Sequence, residues 1–250
     1  MKGDDKVSNA LPIPGGYLTR NSGLLIRGGR PYFDQLEQLI DGASVSIHLQ
    51  VYIYSDDETG NRVTEALTRA TKRGVKVFVL VDRYASSRSM SHETLRRFAD
   101  AGVNFRWFEP LIQGRNFYVG RRMHHKVFVA DGQFGLVGGV NISNHYNDVD
   151  GVPGWLDWAI LVEGEISMAL YHRCTQMWFR VTQVNIPSFP PPQPINEESM
   201  MRMRVNDWVR NKQQISRSYI EMFHRATHSI TIMSSYFLPG PVIILNKALR

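Results

Sequence analysis

The sequence predicts an α/β domain in which strands and helices alternate and pack in layers. Apolar residues recur at helical spacing in several segments, and short runs rich in β-branched and aromatic residues lie between them. One of these runs, residues 75–81, is almost continuously apolar, which is typical of a strand buried on both faces. Strands that alternate with helices in this way favour a sheet covered by helices.

The predicted elements follow each other along the chain. Residues 1–31 are rich in glycine and proline and form an irregular N-terminal lead-in with one short strand at 24–27. Residues 32–184 are assigned to one domain. Its helices are predicted at 33–40, 61–72, 91–101 (with Ser91 as N-cap) and 165–179. Its strands are predicted at 46–53, 75–81, 103–108, 124–130, 134–137 and 158–162.

The composition changes after this domain. Residues 185–205 contain a proline-rich stretch and three methionines, which indicates a linker that either faces lipid or docks on its own domain. Residues 226–237 align without gaps with residues 43–54, and Ala, Ser, Ile and the final aromatic residue fall in register. We therefore predict that residues 206–250 begin a second, incomplete repeat, although two strand–helix units could also match by chance.

Charge and cysteine content narrow the classes of function. The net charge of +6 and the pI near 9.5 favour anionic partners such as nucleic acid, lipid headgroups or phosphorylated small molecules, although a basic soluble enzyme has the same charge. The single cysteine, Cys174, excludes an intrachain disulfide. No apolar run reaches the roughly 18 residues of a membrane span, and residues 1–9 lack the apolar core of a signal peptide. Membrane contact is therefore expected to be peripheral.

The chemistry is carried by a motif of the form His-x-Lys-x4-Asp at residues 124–131. Side chains on a strand alternate between its faces, so His124 and Lys126 point the same way. An imidazole can attack phosphorus and an ammonium can hold phosphate oxygens, which together predict phosphodiester transfer. Asp131 has the opposite parity and stands at a turn, so we interpret it as an orienting group.

A glycine pair and an asparagine extend the motif. Gly138 and Gly139 let the backbone approach closely, and the amide of Asn141 can donate to a phosphate oxygen. Each of these residues alone also has a structural interpretation, such as a surface histidine, a solvated lysine or a turn. The combination at these spacings favours a site over those alternatives.

An arginine-bearing loop leads directly into the motif. Residues 109–122 contain arginines that supply positive charge beside the site, unless the loop is simply solvated. If the anionic partner is a lipid, apolar residues of the same loop could contact its acyl chains: Leu111, Ile112, Phe117 and Tyr118. The candidate substrate-binding residues are Arg121, Arg122, Gly139 and Ser143.

These residues resemble the phospholipase D superfamily, and within it the bacterial cardiolipin synthases. The resemblance includes the motif, its Gly-Gly-x-Asn tail and the approach from Arg121 to His124. It also includes residues 108–110, Asp157 with the following residues 162–164, and residues 234–240, which are similar to the start of the family's second half. The similarity extends over nearly all of the chain from about Leu24 onward.

The resemblance implies a mixed β-sheet flanked by helices in each of two halves, with one His-Lys-Asp motif from each half meeting at their interface. His124 would attack phosphorus and form a phosphohistidine, and a second histidine would serve as general acid and base. Lys126 and Asn141 would hold the non-bridging oxygens. Asp157 would accept a hydrogen bond from the nucleophilic imidazole if it lies at the mouth of its strand; otherwise it is an ordinary strand-end residue. The family needs no metal or other cofactor.

The position of the second motif departs from the family. Tyr54 precedes His124 by 70 residues and Phe237 is the repeat partner of Tyr54, so a second histidine is expected near position 307. The second motif is therefore expected from a missing C-terminal half or from a second chain, and the start of a second repeat favours the first. Residues 1–250 alone are expected to have little or no turnover, although they could be trapped as a phosphohistidine.

The resemblance implies a phosphatidyltransferase that moves a phosphatidyl group from phosphatidylglycerol to a second lipid headgroup. The implied substrate is an anionic phospholipid, met through peripheral contact at the cytoplasmic face of a bacterial membrane, and no nucleic acid partner is expected. A hydrolytic phospholipase D would use the same residues with water as the acceptor. A nuclease of the superfamily is a less favoured alternative, and a lipid-binding protein without activity is the least favoured.

Overall fold

The computed structural model describes residues 16–108, 122–186, 195, 199–206 and 213–234. It divides into two compact units, Met1–Met201 and Arg202–Arg250. The strands of the first unit are β1 (Asn21–Arg27), β2 (Ser46–Val51), β3 (Lys76–Asp82), β4 (Asn104–Phe108), β5 (Lys126–Ala130), β6 (Phe134–Gly138) and β7 (Trp158–Gly164). Its helices are α1 (Arg30–Gly42), α2 (Glu58–Lys72), α3 (Arg83–Ser86), α4 (His92–Asp100) and α5 (Glu165–Thr182), with a short 3-10 helix at Asn144–Tyr146.

The seven strands form one mixed sheet in the order β1-β7-β6-β5-β2-β3-β4. Strands β2, β3 and β4 run parallel, whereas β5, β6, β7 and β1 are each antiparallel to their neighbours. The predicted α/β class with a mixed sheet flanked by helices is confirmed. The order places the motif strand β5 at the centre of the sheet, between β2 and β6.

Helices cover both faces of this sheet. The side chains of Ile47, Leu49 and Val51 in β2 join the main core cluster together with residues of α1, α2 and α4. The alternate residues His48 and Gln50 contact α5 instead, through the ring of Tyr171 and the carbonyl of Cys174. Because successive side chains of a strand point to opposite faces, the sheet is a middle layer between two helical layers.

One local signal operates as the sequence predicts. Ser91 caps α4, since its side chain accepts a hydrogen bond from the backbone N–H of Thr94. Asp57 caps α2 in the same way through Gly60 N–H, a cap that was not predicted because the helix was expected to begin only at residue 61. The four-residue helix α3 and the 3-10 helix were not predicted, because elements this short carry no hydrophobic periodicity.

The sheet begins earlier than the predicted boundary at residue 32. Asn21–Arg27 form the edge strand β1, which pairs with β7 over its whole length, and α1 already starts at Arg30. The buried Asn21 side chain accepts from Ile166 N–H at 2.7 Å and donates to the carbonyl of Ser199 at 3.1 Å. These partners are about 145 and 178 residues away, so local glycine and proline content could not reveal them.

Part of the predicted linker also belongs to the first unit. Met201 and Leu18 exchange two backbone hydrogen bonds, with N···O distances of 2.7 and 2.8 Å. Residues 187–194 and 196–198 of this linker lie outside the described residues. The methionine-bearing end of the segment therefore pairs with the N-terminal edge of the same unit.

The second unit contains one described helix, α6 (Gln214–Arg225). Arg202 forms an ion pair with Glu221 on this helix, and Arg204 Nε donates to Ser218 Oγ at 3.1 Å. The described residues 226–234, which we align with β2, are not assigned to a strand, and residues 235–250 lie outside the described part. A strand is defined by its pairing with a neighbour, so the second repeat stays a prediction.

Among the residues that the structure describes, no helix is both long and apolar enough to cross a membrane.

His48 is a buried polar side chain on the α5 side of the sheet. Its ring stacks on Phe78 with centroids 4.8 Å apart, and within the described structure neither ring nitrogen has a hydrogen-bond partner. Burial lowers the pKa of His48 to about 3. The imidazole therefore stays neutral in the folded state while the unfolded chain takes up a proton near pH 6.5.

This imbalance predicts acid sensitivity. A depressed folded-state pKa means that stability is lost as pH falls from about 6.5 toward 3. We expect the free energy of unfolding of His48→Leu to fall less than that of wild type as the pH falls. At pH 5 the difference should be on the order of 1 kcal/mol or more. Chemical unfolding at pH 7.5 and pH 5 measures it, with the exposed His92→Leu as matched control. Equal acid losses in wild type and His48→Leu would contradict the prediction.

Candidate active site

Residues of the predicted motif line a cleft of about 320 Å³ at one end of the central strands. Five of the predicted site residues meet there, although they are spread over 34 positions of sequence. Four further residues complete the lining. The cleft is lined by Tyr52, Ile53, His124, Lys126, Gly138, Gly139, Asn141, Tyr146 and Asp157.

His124 and Lys126 lie side by side in the cleft. The Lys126 ammonium donates to the carbonyl oxygen of His124 at 2.8 Å, and its Nζ is 3.5 Å from His124 Nδ1. The intervening His125 points the other way, where its Nε2 lies 2.9 Å from Gln50 Oε1. Strand alternation therefore places the imidazole and the ammonium on one face, where both can contact the same ligand. His125 lies on the opposite face and contacts Gln50 on the α5 side.

The surroundings of His124 and Lys126 lower the pKa of both side chains. Burial and the neighbouring Lys126 lower the pKa of His124, with a smaller opposing effect from Asp82. The imidazole is therefore largely neutral at pH 7 and its nitrogen lone pair is available. Burial lowers the pKa of Lys126 to about 8, and the charge of Asp157 opposes this shift. Lys126 is thus mostly protonated at pH 7 and can hold an anion.

Asn141 is fixed by its carbonyl end. The buried side chain accepts a hydrogen bond from Ile53 N–H at 3.0 Å through Oδ1. An asparagine has two donor hydrogens on Nδ2, and these remain for a ligand in the cleft. The hydrogen bond also joins the end of β2 to the segment after β6.

Asp157 lies at the mouth of β7, which meets the condition that strand parity sets for it. Its Oδ1 accepts from Trp158 N–H at 2.7 Å, and its backbone carbonyl accepts from Gly28 N–H at 2.7 Å. In the described structure no hydrogen bond joins Asp157 to His124. Its role as the partner of the imidazole therefore stays a prediction, whereas its charge already acts on Lys126.

Asp131 does not take the orienting role that we predicted from its place in the motif. It stands at the opposite end of β5, roughly 16 Å along the strand from Lys126 at about 3.3 Å per residue. Its carboxylate accepts four hydrogen bonds from Ser44, Val45 and Ser46, at 2.7 to 3.0 Å. Asp131 therefore stabilises the turn that leads into β2 and does not reach the cleft.

The remaining substrate-binding predictions have different outcomes. The Ser143 hydroxyl caps the 3-10 helix, accepting from His145 N–H at 3.3 Å, and does not line the cleft. The guanidinium of Arg122 lies 3.9 Å from the centroid of the Tyr84 ring, and Arg122 is likewise not a lining residue. Arg121 and the apolar residues of the 109–121 segment lie outside the described residues.

Three residues at or near the site were not predicted from the sequence. Tyr52 and Tyr146 line the cleft directly. Asp82 is buried behind it and accepts from Met123 N–H at 2.8 Å, immediately before His124, and from Ala85 N–H at 3.1 Å. An acidic residue at the carboxyl end of a buried parallel strand was the available signal for Asp82. Neither tyrosine has a comparable signal.

Within the described residues, no group of three or more histidine, cysteine, aspartate or glutamate side chains could hold a metal ion. The cleft instead gathers one imidazole, one ammonium, one amide and one carboxylate. This set can supply a nucleophile and donors for an anion from side chains alone.

Gly139 shows how closely the cleft is built. A Cβ at this position would lie 2.3 and 2.4 Å from the two carboxylate oxygens of Asp157. We expect Gly139→Ala to displace Asp157 and to destabilise the fold by about 1 to 3 kcal/mol. Chemical unfolding tests this, and Gly42→Ala is the matched control because nothing lies within 4 Å of its Cβ. Equal stability of the two variants would contradict the expectation.

The mixed sheet and the His-x-Lys cleft are those expected of a phospholipase D-like domain. Residues 36–150 match the family model described as "Cardiolipin synthase, PLD-like domain". This match confirms the resemblance to the phospholipase D superfamily and to its cardiolipin synthase branch.

Curated relatives agree with this class. The chain is 29% identical over 239 residues to cardiolipin synthase B of Escherichia coli K12, covering 90% of this chain and 56% of that protein. It is 30% identical over 234 residues to the major cardiolipin synthase ClsA of Bacillus subtilis, covering 90% of this chain and 48% of that protein. The chain therefore spans about half the length of these relatives.

Proposed function

We propose that the chain is part of a phosphatidyltransferase of the cardiolipin synthase type. The observation that carries the proposal is the cleft itself, in which a largely neutral His124 lies beside a protonated Lys126. The names of the curated relatives supply the substrate class. The donor is phosphatidylglycerol and the acceptor is a second lipid headgroup.

The reaction proceeds in two displacements. A ring nitrogen of His124 attacks the phosphorus of phosphatidylglycerol, the N–P bond forms, and the P–O bond to glycerol breaks. The leaving alkoxide takes a proton from a general acid. The hydroxyl of the acceptor lipid then attacks the phosphohistidine, loses its proton to the same group, and the P–N bond breaks.

Lys126 and Asn141 stabilise the negative charge that develops on the phosphoryl oxygens. The Lys126 ammonium donates to the His124 carbonyl and lies 3.5 Å from His124 Nδ1, which leaves a third donor for non-bridging oxygens. The Nδ2 of Asn141 offers a second donor across the cleft. Fixed donors that meet the transition state without reorganisation are the main source of electrostatic catalysis.

The general acid comes from a second His-Lys-Asp motif, supplied by another part of a longer chain or by a second chain. The sequence of residues 1–250 contains one His-x-Lys pattern, at His124. Turnover by these residues alone is therefore proposed to be low, whereas the first displacement needs no second histidine when the leaving group is already acidic.

The protein is proposed to act peripherally at the cytoplasmic face of a bacterial membrane. The net charge of +6 supports attraction to anionic lipids. The substrate is an anionic phospholipid, and nucleic acid is not a proposed partner.

Product analysis of a preparation that includes the second motif tests this function. Labelled phosphatidylglycerol is presented in vesicles, and the products are separated by chromatography. Cardiolipin together with free glycerol is the expected result. Phosphatidic acid would assign hydrolysis instead, and cleavage of DNA without any lipid product would assign a nuclease.

A further inference from the structure

Tyr52 follows the last residue of β2 and presents its ring to both reactive groups of the cleft. The ring centroid lies 4.6 Å from that of the His124 imidazole, and the two planes meet at 53°. The same ring lies 5.2 Å from the Lys126 ammonium nitrogen. Both distances fall within the ranges of favourable aromatic and cation–π contacts.

Hydrogen bonds hold the backbone around Tyr52 on both sides. The Tyr52 carbonyl accepts a hydrogen bond from Ser86 Oγ at 2.9 Å, and Ser86 Oγ in turn accepts one from Tyr54 N–H at 3.0 Å. Ile53 N–H donates to Asn141 Oδ1 at 3.0 Å. The ring is therefore carried by a fixed backbone segment, which is what an orienting contact requires.

The contact with Lys126 has an electrostatic consequence. The lysine residue is only 6% exposed, and the one hydrogen bond it makes to a backbone carbonyl, at His124, leaves donors unused. The π face of an aromatic ring attracts a cation in this setting. Tyr52 thus offsets part of the burial that disfavours the charged form of Lys126.

We propose that Tyr52 is a positioning residue, whose ring fixes the plane of the His124 imidazole and keeps Lys126 charged beside the phosphate. The inference rests on the proposed function, because it assigns Tyr52 to the attack of His124 on phosphorus. The aromatic ring carries this role and the phenolic hydroxyl does not. The conservative variant Tyr52→Phe therefore retains the function that Tyr52→Leu loses.

An activated diester separates this inference from the proposed function. With bis(para-nitrophenyl) phosphate, the His124 N–P bond forms as the P–O bond breaks, and nitrophenolate leaves with the electron pair without needing a general acid. Residues 1–250 should therefore release one burst of nitrophenolate per chain even without turnover. Absence of the burst in the wild-type chain would count against the proposed function, whatever the role of Tyr52.

Given a wild-type burst, we expect Tyr52→Leu to lower its rate constant about 10- to 100-fold, because a small misplacement of a nucleophile has effects of this size. Tyr52→Phe should stay close to wild type. The alkaline limb of the burst rate should move to lower pH in Tyr52→Leu, since an unsupported Lys126 loses its proton more easily. Tyr219→Leu, an exposed tyrosine of α6, should change neither the rate constant nor the limb.

Two results would overturn the inference. One is a Tyr52→Leu burst with the wild-type rate constant and pH profile, and the other is an equal loss in Tyr52→Phe, which would assign the hydroxyl. Folding of each variant is checked by chemical unfolding. If Tyr52→Leu does not fold, Tyr52→Met replaces it, because a longer, flexible side chain can follow the shape of the space left by the ring without an aromatic face.

Discussion

Replacing His124 by alanine should abolish the nitrophenolate burst. The nucleophile of the proposed first displacement is removed. Of the other nitrogen-bearing side chains that line the cleft, the Asn141 amide is not nucleophilic and Lys126 is mostly protonated at pH 7. We expect the rate constant to fall by at least about 1,000-fold, as is typical when a covalent nucleophile is lost. The second readout is the protein-bound phosphoryl group, detected as a mass increase that disappears in acid, where phosphohistidine hydrolyses.

The controls for this experiment are also histidines. His92→Ala removes an exposed imidazole outside the cleft and should leave the burst intact. Thermal or chemical unfolding should show that His124→Ala keeps most of the wild-type stability, since much of this residue is open to solvent despite its contact with Tyr52. A burst of normal amplitude in His124→Ala would remove this residue as the nucleophile and the proposed mechanism with it.

The sequence predicted those features that depend on neighbours close along the chain. Strand alternation over residues 124–126 was enough to place the imidazole and the ammonium in one cleft. The asparagine of the Gly-Gly-x-Asn tail reaches the same cleft because β6 returns antiparallel to β5 after a short turn. The helical spacing of α1, α2, α4 and α5 likewise has a period that a single sequence displays.

The features that sequence missed depend on partners distant along the chain. Tyr52 meets His124 because β2 pairs with β5 across the sheet, and Asp82 reaches Met123 from the end of β3. Nothing local distinguishes Tyr52 from other residues at strand ends, and the acidic strand end at Asp82 does not by itself reveal its contact with Met123. The full length of edge strand β1 was not predicted for the same reason, since its partners lie in the distant strand β7.

Asp131 shows a different error, because an orienting role was inferred from its place in the motif although its opposite strand parity already turned it away from the ligand. A strand of five residues separates it from the cleft, so its place in the motif reflects the architecture of the sheet. We therefore expect Asp131→Ala to destabilise the fold by about 2 to 3 kcal/mol, because four donors of residues 44–46 lose their acceptor. The burst rate constant per folded chain should stay at the wild-type value.

Two variants separate the hydrogen bonds from backbone strain. Asp131 has a φ of 53°, where alanine is disfavoured, and the exposed Asp150 has a φ of 51°. Asp150→Ala therefore reports the cost of alanine in this conformation, and the excess loss in Asp131→Ala reports the hydrogen bonds. Asp131→Asn tolerates the conformation but keeps a single accepting oxygen, so its stability should fall between wild type and Asp131→Ala. A fully stable Asp131→Ala with a slow burst would instead return Asp131 to the active site.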